Sequence, residues 1–142
     1  MILGACCDWV TSPPKNIVVV SYVRPVRAEQ FNLAGADIGK LAVLLVDAAT
    51  IVIGTPTVLS GAHPQVAYAA YLANVTRPKA RYLSVIGSFG WGGNMVEQLS
   101  AMMPNLKVEV ISPVLCKGVP KAADLEALDK LADVIPARRA TL

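Results

Sequence analysis

The sequence predicts an α/β fold, a three-layer sandwich in which helices cover both faces of a mainly parallel sheet. Three observations lead there. Helix-like and strand-like segments alternate from residue 36 onward, the strand-like runs are apolar on both faces, and a single helix separates each strand from the next. At 142 residues the chain has the length of one ordinary domain, and folding at that size removes about two-thirds of the unfolded surface from water. A composition of 54% hydrophobic and 16% charged residues supplies a dense core. Apolar runs such as Leu41 to Val46 nevertheless end at a charge, Asp47, far short of the roughly 18 residues a bilayer span needs.

The elements follow in order. Asp37 caps a first helix whose Ile38, Leu41, Ala42 and Leu45 recur at helical spacing, and the strand Thr50 to Gly54 comes next. Pro64 suits the first turn of a second helix with Tyr68, Tyr71, Leu72 and Val75 on one face, and Pro78 closes that region before the strand Arg81 to Gly87. A third helix carries Met95, Leu99 and Met102 and stops at Pro104. The strand Lys107 to Ser112 leads into a loop with Pro113, Gly118 and Pro120, then to a last helix expected to bury Leu125, Leu128, Leu131, Ala132 and Ile135. Upstream, Val26 to Leu33 reads as a strand and Asn16 to Val23 as a further candidate.

Charge and cysteine usage narrow the function classes. Net charge is +3 with the basic residues scattered, which argues against a nucleic-acid binder. Cys6, Cys7 and Cys116 form no C-x-x-C pair and their odd number is no secreted disulfide framework, so a cytoplasmic location is expected. Met1 to Asp8 lacks the basic start and apolar core of a signal peptide. The single histidine, His63, excludes a histidine-rich metal site; standing before Pro64, it reads as a helix-capping or surface residue.

In open parallel sheets ligands bind at the carboxyl ends of the strands, which singles out two loops. The first is Thr55-Pro56-Thr57-Val58-Leu59-Ser60-Gly61 and the second Gly87-Ser88-Phe89-Gly90-Trp91-Gly92-Gly93. The second combines glycines, which let a backbone approach a ligand closely, with the flat surfaces of Phe89 and Trp91, a pairing suited to a planar ring. The glycines could equally serve a tight turn with Trp91 packed inward. Other nucleotide motifs fail. Gly90-Trp91-Gly92 is followed by Met95 where a dinucleotide fingerprint needs its third glycine, Gly39-Lys40 precedes Leu41 rather than Ser or Thr, and no aspartate stands at the end of the Thr50 to Gly54 strand.

The segments GTPTVLSGAHP and GSFGWGG, with NLAGADIGKLA before them and KGVPKAADLEALDKLAD after, resemble the flavodoxin-like domain of the flavodiiron proteins, the A-type flavoproteins, over about residues 26–136. The resemblance implies a strand order of 2-1-3-4-5 and a bound FMN. It implies electron transfer from a reduced, rubredoxin-like donor to a di-iron centre that reduces oxygen or nitric oxide. The two loops would line opposite sides of the isoalloxazine, which makes Thr55, Pro56, Thr57, Val58 and Leu59, with Ser88, Phe89, Gly90, Trp91 and Gly92, the expected cofactor-binding residues. Threonine hydroxyls and nearby amides can hydrogen-bond the polar edge of a flavin, while Pro56 holds the turn without adding a buried donor.

Two departures from the family qualify this expectation. One histidine cannot furnish the His, Asp and Glu ligands of a di-iron centre, so the chain is expected to be an electron-transfer component rather than a complete oxidoreductase. The family's opening strand and its Ser/Thr-rich phosphate loop also have no counterpart, and only Arg24 and Pro25 separate Asn16 to Val23 from Val26 to Leu33, too few for a parallel crossover. Residues 1–25 are therefore expected to be an atypical segment, the mark of a fragment, and residues 26–142 the flavodoxin-like domain. Alternatively, Asn16 to Val23 folds back as a central antiparallel strand and brings Thr11, Ser12 and Lys15 towards the phosphate position. The competing functional expectation is a cofactor-free flavodoxin-like piece with a structural or homodimer-forming role.

Overall fold

The computed structural model describes residues 2–4, 30–33 and 37–140. Its elements are β1 (Ile2–Gly4), β2 (Gln30–Asn32), α1 (Ile38–Val46), β3 (Thr50–Val58), β4 (Gly61–Ala62) and α2 (Pro64–Thr76), followed by β5 (Tyr82–Phe89), α3 (Met95–Met102), β6 (Glu109–Val110), β7 (Val114–Lys117) and α4 (Ala122–Ala140). The strands lie in the order β2-β1-β3-β5, with β6 and then β7 alongside β5. Every one of these pairings is parallel; only the short β4 runs antiparallel, to β3.

Alternation along the strands separates two cores. Ile51, Ile53, Leu83 and Val85 face one side, where α1 buries Leu41 and Leu45, α2 buries Val66, Ala69, Ala70 and Ala73, and α3 buries Met95 and Leu99. Val52, Tyr82 and Ile86 face the other, against Leu131 and Ile135 of α4. Strands buried on both faces read as continuous apolar runs, as observed in the sequence.

The helix ends follow the expected chemistry. The Asp37 carboxylate accepts from the Gly39 N–H at 2.8 Å and so caps α1. His63 caps α2, its Nδ1 accepting from the Gln65 N–H at 3.3 Å. In helix α2 the alanine stripe goes inward, because small side chains let the helix lie close to the sheet, while Tyr68, Tyr71 and Val75 are exposed and Leu72 is partly buried. In α4 Leu131, Ala132 and Ile135 are buried and Leu128 is partly buried as expected, but Leu125, in the opening turns, is exposed. The helix also continues through Pro136 to Ala140.

Two strands differ from expectation. The segment around Pro113 is not all loop: proline interrupts the ladder between β6 and β7, and the chain then rejoins β5 with Cys116 opposite Ser88. The first strand exists as the three-residue β1, paired with both β2 and β3, too short to leave a periodicity in the sequence. Residues 5–29 then separate β1 from β2, long enough for a parallel crossover. The candidate strand Asn16 to Val23, the residues Thr11, Ser12 and Lys15, and most of Val26 to Leu33 lie outside the described residues.

A two-residue hairpin turn, Leu59-Ser60, joins β3 to β4, closed by the pair Val58 and Gly61. Both turn residues have positive φ, 47° for Leu59 and 67° for Ser60. This is the geometry that matches strand twist, and it is usually supplied by Asn-Gly. An L-residue there costs about 1–2 kcal/mol, against roughly 0.5–1 kcal/mol of extra chain entropy that a glycine would lose on folding. Ser60→Gly is therefore expected to raise stability by a few tenths to about 1 kcal/mol in urea denaturation. A loss of stability would contradict the strain.

Candidate functional site

Parallel pairing delivers the ends of β1, β3, β5 and β7 to one edge of the sheet, the edge where open α/β sheets place their ligands. There β3 and β5 run further than the sequence suggests. Thr55, Pro56, Thr57 and Val58 belong to β3, and Ser88 and Phe89 complete β5, with Pro56 opposite Ser88. Gly87 permits the close approach: a Cβ built on it would lie 2.5 Å from the Thr55 carbonyl oxygen and would also meet the Met95 side chain.

The expected site residues divide into a floor and two walls. Thr55 is floor. It is fully buried, its hydroxyl donates to the Pro56 carbonyl at 2.9 Å and accepts from the His63 N–H at 3.2 Å, and it therefore shapes the turn instead of facing outward. Pro56, Thr57 and Val58 are half-buried and Leu59 is 99% exposed, forming one wall. Ser88 and Phe89 are half-buried, Gly90 is exposed, Trp91 is 104% exposed and Gly92 turns the chain with φ of 116°, forming the other. The alternative of an inward-packed Trp91 is thereby removed.

The walls touch. A Cβ on Gly93 would sit 2.9 Å from the Ser60 carbonyl oxygen and 3.1 Å from the Thr57 methyl, so the second loop lies directly against the hairpin. A third loop joins them, as the Gly118 N–H donates to the Phe89 carbonyl at 2.9 Å and Val119 stands exposed beside it. Gly93 and Val119 were not singled out by sequence reasoning. Gly93 was visible only as one of several glycines, and Val119 gave no signal because its exposure depends on the strand that precedes it.

The surroundings carry no formal charge over long stretches. No Asp, Glu, Lys or Arg occurs between Asp47 and Arg77, where His63 is the one titratable base, or from Tyr82 to Val96. The half-buried hydroxyls of Thr57 and Ser88 bond to no described residue. Such an edge offers apolar surface, hydroxyls and glycine amides to a neutral, flat ligand. Among the described residues no three His, Cys, Asp or Glu side chains gather where they could hold a metal ion, and no described helix is long and apolar enough to cross a membrane.

Comparison with known proteins agrees with this architecture. No protein-family model matches the chain. Over 148 aligned residues it is 26% identical to rubredoxin-oxygen oxidoreductase of Megalodesulfovibrio gigas, the alignment covering 90% of this chain and 37% of that relative's length. The solved structure of rubredoxin oxygen:oxidoreductase from Desulfovibrio gigas superposes with a TM-score of 0.67 at 26% identity, covering 74% of this chain and 26% of that one. A flavodiiron core from Synechocystis sp. gives 0.67 at 18% identity, over 75% of this chain and 27% of the other. A flavodoxin from the domain Archaea gives 0.60 at 20% identity, over 78% and 76%, and these last two likenesses speak to the fold alone. The chain thus has an α/β flavodoxin-like fold and is similar over most of its length to part of rubredoxin-oxygen oxidoreductase, of which it spans little more than a third.

Proposed function

We propose that the edge between β3 and β5 binds FMN and that the domain relays electrons from a reduced, rubredoxin-like donor to a di-iron centre of the flavodiiron type. The observation that carries this reading is the placement of Trp91 and Leu59. Two large apolar side chains stand wholly in water on walls that touch, above half-buried hydroxyls. Apolar groups exposed next to one another and rimmed by polar ones are a mark of binding surfaces.

The residues present fit a flavin. Trp91 offers a flat face to a ring system and, once covered, keeps water from it. Leu59 and Val58 supply apolar contact from the opposite wall. The Thr57 and Ser88 hydroxyls and the amides of Gly90 and Gly92 supply hydrogen bonds for a polar ring edge. Thr55 acts indirectly, by fixing the Pro56 carbonyl and the start of α2. A bound flavin would supply the one- and two-electron chemistry, and the protein's share is placement and electrostatics. The name of the similar rubredoxin-oxygen oxidoreductase couples rubredoxin to oxygen, which supports the choice of donor and of electron flow. The cytoplasmic location is proposed on the same footing.

A second reading, a cofactor-free domain that pairs as a homodimer, is favoured by α2. Its outward residues Tyr68, Tyr71 and Val75 are exposed, and the helix carries no acidic or basic side chain at all. Tyrosine-rich, charge-free surface is typical of the core of a protein interface.

Titrating FMN into the purified protein tests the first reading. We expect a shifted flavin absorption band and quenched flavin fluorescence, with Trp91→Ala weakening affinity about tenfold, the size of a good aromatic contact. Free-flavin behaviour at every concentration would overturn it. Sedimentation equilibrium tests the second: a concentration-dependent dimer reduced to monomer by Tyr71→Glu is expected from pairing through α2, and a monomer throughout would remove that reading.

A further inference from the structure

The wall formed by Thr57, Val58 and Leu59 keeps its place against the Gly90 to Gly93 wall only if the return strand β4 is itself held. Strand β4 has two residues and, among the described residues, pairs with β3 alone. In an antiparallel pair, inward- and outward-pointing backbone groups alternate. The Ala62 N–H is one that points away from β3, and Ala62 is buried at 9% exposure, so this donor needs a protein acceptor.

Gln98 of α3 supplies it. Its Oε1 accepts from the Ala62 N–H at 2.8 Å, across 36 positions of sequence. The acceptor must be the amide oxygen, because the backbone group is a donor. Gly61 keeps the space open: a Cβ there would come within 2.5 Å of Gln98 Oε1. Helix α3 is itself firmly seated, with Met95 and Leu99 on either side of Gln98 in sequence both buried, and the Gln98 N–H donates to the Asn94 carbonyl at 2.8 Å. The same segment is tied from its other side by the His63 N–H to Thr55 bond.

We infer that Gln98 is the positioning residue of the carboxyl-edge site, tying the β3–β4 hairpin to α3 and so holding the Thr57 to Leu59 wall in place against the Gly90 to Gly93 wall. This inference rests on the flavin reading above. Gln98 acts through Ala62 and does not itself stand among the wall residues. Groups that shape a site are most exact when they project from rigid elements, as Gln98 does.

The test compares Gln98→Leu, which keeps much of the volume and loses the acceptor, with Gln98→Glu, which keeps an oxygen at the same reach. FMN affinity, Ala62 amide exchange by NMR and the urea midpoint are measured on the full chain. Gln98→Leu is expected to weaken FMN binding about tenfold and to speed exchange at Ala62, with Gln98→Glu close to wild type in both. Unchanged affinity in Gln98→Leu, or equal losses in the two variants, overturns the inference. If the wild type leaves FMN free, the flavin reading fails by itself and the Ala62 amide decides the clamp alone. Faster exchange in Gln98→Leu then upholds it, and unchanged protection overturns it.

Discussion

The parallel pairing of β3 with β5, continuous from Thr50 opposite Tyr82 to Pro56 opposite Ser88, is the constraint on which the rest of the structure depends. It fixes where both strands end, and therefore that the Leu59-Ser60 turn and the Gly90 to Gly93 segment leave the sheet side by side. The pairing holds because both strands bury both faces. Ile51, Ile53, Leu83 and Val85 go to one core, and Val52 and Ile86 to the other. Each fully buried side chain of this size is worth about 1.5–3 kcal/mol, far more than a turn residue can contribute. The loops are thus placed by the core and not by their own chemistry.

From that placement follows a division of labour at the carboxyl edge. Thr55 and Gly87 serve the backbone, one by bonding Pro56 and His63, the other by lacking a side chain where the strands come close. Leu59, Trp91 and Val119 serve the surface, each the wholly or largely exposed apolar residue of its own loop. Buried groups of the first kind rigidify the floor, while exposed loops of the second kind open locally at low free energy. A binding edge needs both properties, a fixed base and walls that can settle onto a ligand.

Much of this was legible in the sequence. Apolar runs of strand length between helical patterns gave the parallel sheet, and Asp37 and His63 were recognisable as caps from their positions before helical segments. Both loops were located by their glycine, proline and threonine content. What was hidden depended on partners distant in sequence. Tyr68 and Tyr71 share a helical face, but the alanines of α2 decided which face could approach the sheet. Thr55 looked like a ligand contact until the His63 N–H claimed its hydroxyl eight positions away. Gln98 gave no signal, because its partner at Ala62 lies 36 residues upstream. The strands β1 and β7 escaped because one has three residues and the other follows a proline.

The contact between the two walls is the most direct point of attack on this account. Gly93 lies against the Thr57 methyl, with a built Cβ 3.1 Å from Thr57 Cγ2. A nuclear Overhauser measurement on the ligand-free protein should therefore show a cross-peak between the Gly93 α-protons and the Thr57 methyl protons. A well-resolved Thr57 methyl with peaks to its strand neighbours and none to Gly93 would place the walls apart and contradict the account.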